Sequence, residues 1–221
     1  MTTAAVYMTL CWGLMVAVIA GASLRGFSRF RQLAPSLRVL TWFASFETLL
    51  EIINKSLIKV FHFKSNLFLL PLDAIGTVGL LALAYGHALQ SAAFSRVMPW
   101  VLGAFGSYVL FDTLTELGTV RFTPSVHVIG DLLMLSMAGL YFQKLLNELR
   151  VVQLQREPFF WMSVGVVVYA LGDLQLSLFS NYILHHTPLQ TQIIALTVVR
   201  IFLLFTFYSG CFLALWMRPQ R

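Results

Sequence analysis

Apolar residues run along this chain in seven blocks of about twenty, the length a helix needs to cross about 30 Å of hydrocarbon. The blocks fall at roughly 4–23, 37–55, 67–87, 98–118, 125–145, 159–180 and 193–216. Between them lie short segments: LRGFSRFRQLAPS, SLIKVFHFKSN, an Ala/Ser-rich turn ending at Arg96, GTVRFTP, NELRVVQLQREP and NYILHHTPLQ. None is long enough for a soluble domain. Pro35, Pro99, Pro124, Pro158 and Pro188 stand at or just before the starts of blocks, where a missing N–H costs nothing. The pattern predicts an all-α, polytopic membrane protein: a single seven-transmembrane-helix domain over residues 1–221.

Composition agrees, at 58% hydrophobic and 11% charged residues, where a soluble surface needs about 25% charged. The first 24 residues hold no Lys or Arg, so the charged start of a secretory signal is missing and the first block is expected to remain as a helix. The net charge of +6 comes from basic residues that lie mostly in loops, a matter of topology rather than of nucleic-acid binding. With the amino terminus outside, ten Lys and Arg (Arg25, Arg29, Arg31, Arg38, Arg96, Lys144, Arg150, Arg156, Arg218, Arg221) fall on the inner side. Four (Lys55, Lys59, Lys64, Arg121) fall outside, and this imbalance predicts an N-out, C-in orientation. The five tryptophans are expected to act mostly as interfacial anchors, and Cys11 and Cys211 as buried free thiols.

The acidic residues break the apolar pattern. Seven of the nine (Glu47, Glu51, Asp73, Asp112, Glu116, Asp131, Asp173) fall inside the blocks, where an ionised carboxylate costs several kcal/mol on the milder insertion scales (about 3). At 1.5 Å per residue, Glu51, Asp73, Asp112, Asp131, Asp173 and the one intramembrane cation, Arg200, share a level roughly 4–6 Å to the outer side of the midplane. Glu47 lies about a turn deeper, and Glu116 and His127 about a turn further out. Glu47/Glu51, Asp112/Glu116 and His127/Asp131 are i,i+4 pairs, so each pair shares a helix face. Asn54, Thr77, Tyr108, Thr115, Tyr169 and Ser177 follow the same faces. A single acid of this kind can serve merely to hold two helices together. Five facing one arginine exceed that need, and the layer is expected to line a ligand-binding pocket open to the outside, with Glu47 as its neutral floor. Arg200 is expected to be the structural counter-charge of Asp173 or Asp131.

Such an excess of carboxyls resolves in three ways: bound protons, a divalent metal ion for which His127 and Asp131 offer nitrogen and oxygen ligands, or a small cationic ligand from outside. His185 and His186 could cap such a site. For an intramembrane hydrolase the chain shows neither GxSxG nor HxxxH. It also lacks, in 193–216, the last-helix histidine ligands of the superfamily that includes alkaline ceramidases. A cation- or proton-coupled transporter would call for internal repeats or charge in the inner halves of the helices, and neither is evident. The asymmetry suits a receptor-like sensor that binds a cation or small cationic ligand in its outer half, with membrane lipid around it; a cation- or proton-coupled transporter is the alternative and a metal-dependent intramembrane hydrolase the third reading.

One stretch adds to this. Glu157-Pro158-Phe159-Phe160-Trp161, then Gly165, Tyr169, Gly172-Asp173-Leu174 and Phe179-Ser180-Asn181-Tyr182, resembles a pattern in uncharacterised bacterial seven-transmembrane proteins, some associated with histidine kinases. Those often carry Asn where this chain has Asp173, and usually Glu near the level of Asp73 in PLDAIGTVGLLALAYGHAL. The resemblance implies a sensory role in a bacterial cytoplasmic membrane; from the topology, the basic inner segments 24–36 and 143–157 are expected to contact a cytoplasmic or membrane signalling partner. It implies no particular activity.

Overall fold

The computed structural model describes residues 3–59, 69–115, 124–147, 157–186 and 194–217. These form seven long helices: α1 (Thr3–Ser28), α2 (Pro35–Lys59), α3 (Leu70–Leu89), α4 (Ala92–Thr115), α5 (Pro124–Asn147), α6 (Pro158–His186) and α7 (Val199–Trp216). A 3-10 turn, Phe30–Gln32, joins α1 to α2, and a single wide π turn, Ile194–Val198, leads into α7. Six of the seven are long and apolar enough to cross a membrane. The exception is α2, where Arg38, Glu47, Glu51, Lys55 and Lys59 interrupt the apolar run. The chain is an all-helical polytopic membrane protein.

Two boundaries differ from expectation, each for a local reason. The Ala/Ser-rich turn shrinks to Gln90 and Ser91. Gln90 takes a left-handed conformation (φ 51°) and its N–H bonds back to the Gly86 carbonyl at 3.1 Å, which closes α3. The carbonyl of Ser91 then accepts the Ser95 N–H at 3.0 Å, so Ala92 to Arg96 wind into α4. Pro99 consequently lies inside α4 rather than at its start, its ring standing where an N–H would bond the carbonyl one turn back. At the other boundary, α6 runs on to His186 and takes in both histidines of the expected loop, since nothing before Pro188 breaks a helix. Pro188 itself lies outside the described residues.

Neighbouring helices close a ring of six in the order α1, α2, α3, α5, α6, α7, with α7 packing back on α1. α4 stands outside the ring, mainly against α3, and Trp100 on it is 81% exposed. The tightest seam joins α6 to α7 through glycines. A Cβ on Gly210 would stand 2.8 Å from the Trp161 carbonyl oxygen, and one on Gly165 would stand 3.3 Å from Phe207 Cα. In lipid, where apolar association gains little, this close backbone approach is a main source of helix adhesion.

Late residues of α1, α3, α5 and α7 meet the early residues of α2 and α6 at one end of the bundle. There the Arg25 guanidinium lies 4.6 Å over the Trp216 ring. The Lys144 ammonium donates to the Ala88 and Leu89 carbonyls at 3.0 and 2.9 Å, capping the last turn of α3. Inside this half the packing is aromatic and apolar. Phe159 meets Tyr85 and Tyr141 at centroid distances of 5.1 and 5.2 Å, and Leu40, Leu81, Met162 and Leu215 are fully buried. The opposite end, where α2 and α6 finish and α3, α5 and α7 begin, holds the polar interior.

Candidate functional site

Four helices bring polar side chains to that end at helical spacing. α2 presents Glu47, Glu51 and Asn54; α3 presents Asp73 and Thr77; α5 presents His127, Gly130 and Asp131; α7 presents Arg200, Leu204 and Tyr208. Offsets of three, four, seven and eight keep each set on one face, and the faces converge on a cavity of about 210 Å³. Tyr169 of α6 and Phe105 of α4 complete the wall, with Val126, Met134 and Phe207 as apolar lining.

The carboxyls of this cavity differ in how they are held. Glu47, buried, accepts from the Thr77 hydroxyl at 2.6 Å on one oxygen and from the Tyr208 hydroxyl at 3.0 Å on the other. Thr77 also stands 3.4 Å from an Asp73 oxygen. Glu51 accepts the indole N–H of Trp12 at 2.9 Å, and the Lys55 ammonium lies 4.5 Å over the same indole ring. Asp131 is 2% exposed, and its Oδ2 has no hydrogen-bond partner among the described residues. In a water-poor interior such a group carries the full desolvation cost unless something arrives to satisfy it.

Arg200 does not supply that partner. Its Nε donates to Asp173 Oδ1 at 2.7 Å and its Nη2 to Asp173 Oδ2 at 3.1 Å, a bidentate pair between α6 and α7. Asp173 is fully buried behind the arginine and is not part of the cavity wall. His127 Nδ1 stands 3.7 Å from Asp173 Oδ2, so its imidazole faces this ion pair.

The structure thus brings together Glu47, Glu51, Asp73, His127, Asp131 and Arg200 and sets Asp173 directly behind them. Asp112 is a correction. It belongs to α4, outside the ring, and does not line the cavity. Phe105 of the same helix reaches the cavity, but Asp112, two turns further along α4, does not. Tyr108, grouped with Asp112 by spacing, instead donates to Ser125 Oγ at 2.8 Å. Glu116 lies outside the described residues. The metal expectation for His127 and Asp131 gains no support, since no group of three or more His, Cys, Asp or Glu among the described residues is placed to hold an ion.

Two site residues escaped the sequence reading. Trp12, expected at the membrane interface, lies mid-way along α1, away from either end, and that position is the signal of an interior role. Tyr208 follows Arg200 by eight residues, two turns along the same face. Replacing Tyr208 with phenylalanine should lower stability by about 1 kcal/mol, the scale of an interhelical hydrogen bond in a membrane bundle. Thermal unfolding of Tyr208→Phe in detergent checks this, and an unchanged midpoint would show that the Tyr208–Glu47 bond contributes nothing.

Comparison of the chain with protein-family models, with curated proteins and with solved structures finds no match.

Proposed function

We propose that this is a receptor-like, sensory membrane protein that binds a small cation in the acidic cavity, oriented with the cavity end outward in a bacterial cytoplasmic membrane. The observation that carries the reading is the one-sidedness of the interior. Four carboxyls line a cavity at one end, while the core of the other half is filled by buried apolar and aromatic side chains, and the pocket at that end, between α3, α4 and α5, is lined by Gln90, Ser91, Gln143, Lys144 and Asn147 among apolar residues and by no carboxyl. A site reached from one side, above a packed half, suits recognition better than passage.

Orientation rests on Arg25, Arg29, Arg31, Arg38, Arg96 and Lys144, which belong to the end away from the cavity and are expected on the cytoplasmic side. Neutralising the carboxyls would relieve repulsion among α2, α3 and α5 and shift their packing, and the basic end would present that shift to a partner.

The test pairs binding with flux. The purified protein in detergent should bind a small cation saturably, and the same protein in proteoliposomes should pass none of it across the bilayer. Protein-dependent flux of the bound cation would replace this reading with a transporter.

A further inference from the structure

The chemistry of the cavity wall narrows the cation, and this inference rests on the cation-binding reading above. Of the four lining carboxyls, Glu47 is already held on both oxygens by Thr77 and Tyr208, and Glu51 is held by Trp12. Among the described residues, Asp73 has the 3.4 Å contact to Thr77 alone. Asp131, 2% exposed, lines the same space and carries a buried Oδ2 without a hydrogen-bond partner among the described residues. The carboxyls held least by side-chain hydrogen bonds are therefore Asp73 on α3 and Asp131 on α5, two helices that pack side by side in the ring.

An inorganic cation fits this wall poorly. Calcium takes 6–8 oxygen ligands and magnesium a near-ideal octahedron, whereas no group of three or more His, Cys, Asp or Glu among the described residues is placed to hold an ion. A primary ammonium is the reverse case. It carries three N–H donors that pair with a few separated acceptors, and its hydrocarbon requires an apolar wall. Val126, Met134, Leu204 and Phe207 supply that wall, and Tyr169 supplies an aromatic ring to the same space. At about 210 Å³ the cavity falls below the roughly 300–1,000 Å³ of drug-sized sites, a size that suits a short chain.

We propose that the cavity is a site for a short-chain organic ammonium, with Asp131 and Asp73 accepting its N–H groups and the apolar residues of α5 and α7 holding its carbon chain. The test is calorimetric titration of the full chain in detergent, at fixed ionic strength, with 1,4-diaminobutane and butylamine as probes and calcium chloride and sodium chloride as comparisons. At least one amine should bind saturably. Asp131→Asn and Asp73→Asn should each weaken it by 10-fold or more, while Asp112→Asn, outside the cavity, should leave it unchanged. Either aspartate variant, if folded, decides the site. Binding of calcium or sodium with no amine bound would overturn the ammonium assignment while leaving the cation reading intact. Failure of all four probes to bind would remove both, and amine binding unaffected by the folded aspartate variants would place the ligand elsewhere.

Discussion

Replacing Arg200 with glutamine is expected to lower the stability of the protein by about 3–5 kcal/mol, one of the largest effects available to a single substitution in this chain. Arg200 is the bidentate donor to Asp173, at 2.7 and 3.1 Å, and Asp173 is fully buried. Without the guanidinium the carboxylate keeps its desolvation cost and loses its compensation. Its near neighbour His127, 3.7 Å away, is placed less well for a strong hydrogen bond. The pair need not be stabilising overall, because a well-packed neutral pair of similar volume often does as well. The double variant Asp173→Asn/Arg200→Gln should therefore recover at least half of the loss. For a chain of this size the single substitution corresponds to a fall of roughly 10 °C in the unfolding midpoint, readable by thermal denaturation in detergent. A neutral Arg200→Gln, or a double variant no better than the single one, would mean that this ion pair does not hold α6 to α7.

The second large effect is expected at Gly210. The nearest atoms to a side chain placed there are the Trp161 carbonyl oxygen, at 2.8 Å from a Cβ, and the Gly165 Cα, at 3.4 Å. These are backbone atoms of α6 that cannot rotate aside, so Gly210→Leu must push the two helices apart. Overpacking of this kind costs about 1–3 kcal/mol, and the upper end applies because the same displacement stretches the Arg200–Asp173 pair. Gly103→Leu is the matched control. It lies on exposed α4, where a Cβ meets nothing within 4 Å, and it should change stability by no more than about 0.5 kcal/mol. Equal losses at the two positions would show that the effect belongs to glycine in a helix and not to the α6–α7 seam.

The class of the protein was legible in the sequence because crossing hydrocarbon imposes a length and an apolar composition that local residues must meet by themselves. The seven apolar blocks correspond to α1 to α7, and Pro35, Pro124 and Pro158 stand as the first residues of their helices. The i,i+4 spacing of Glu47 with Glu51 and of His127 with Asp131 also survived into the cavity wall, since spacing along a helix fixes which residues share a face.

What spacing cannot fix is the direction in which a face points. Asp112 has the depth and the i,i+4 partner of a pocket residue, yet α4 stands outside the ring and reaches the cavity through Phe105, with Asp112 outside its wall. Asp173 and Asp131 likewise look alike in sequence. Tertiary packing made one the buried partner of Arg200 and put the other in the cavity wall, with an oxygen that has no hydrogen-bond partner among the described residues. The sequence by itself determined the helices, their apolar character and the registry of acids along each one, because these depend on residues within a turn or two of one another. Which acids meet, and what Trp12 and Tyr208 hold, was decided only by the order of helices around the ring. That order depends on contacts such as Gly165 against Phe207 and Trp12 against Glu51, between residues 42 and 39 positions apart, and no local pattern records them.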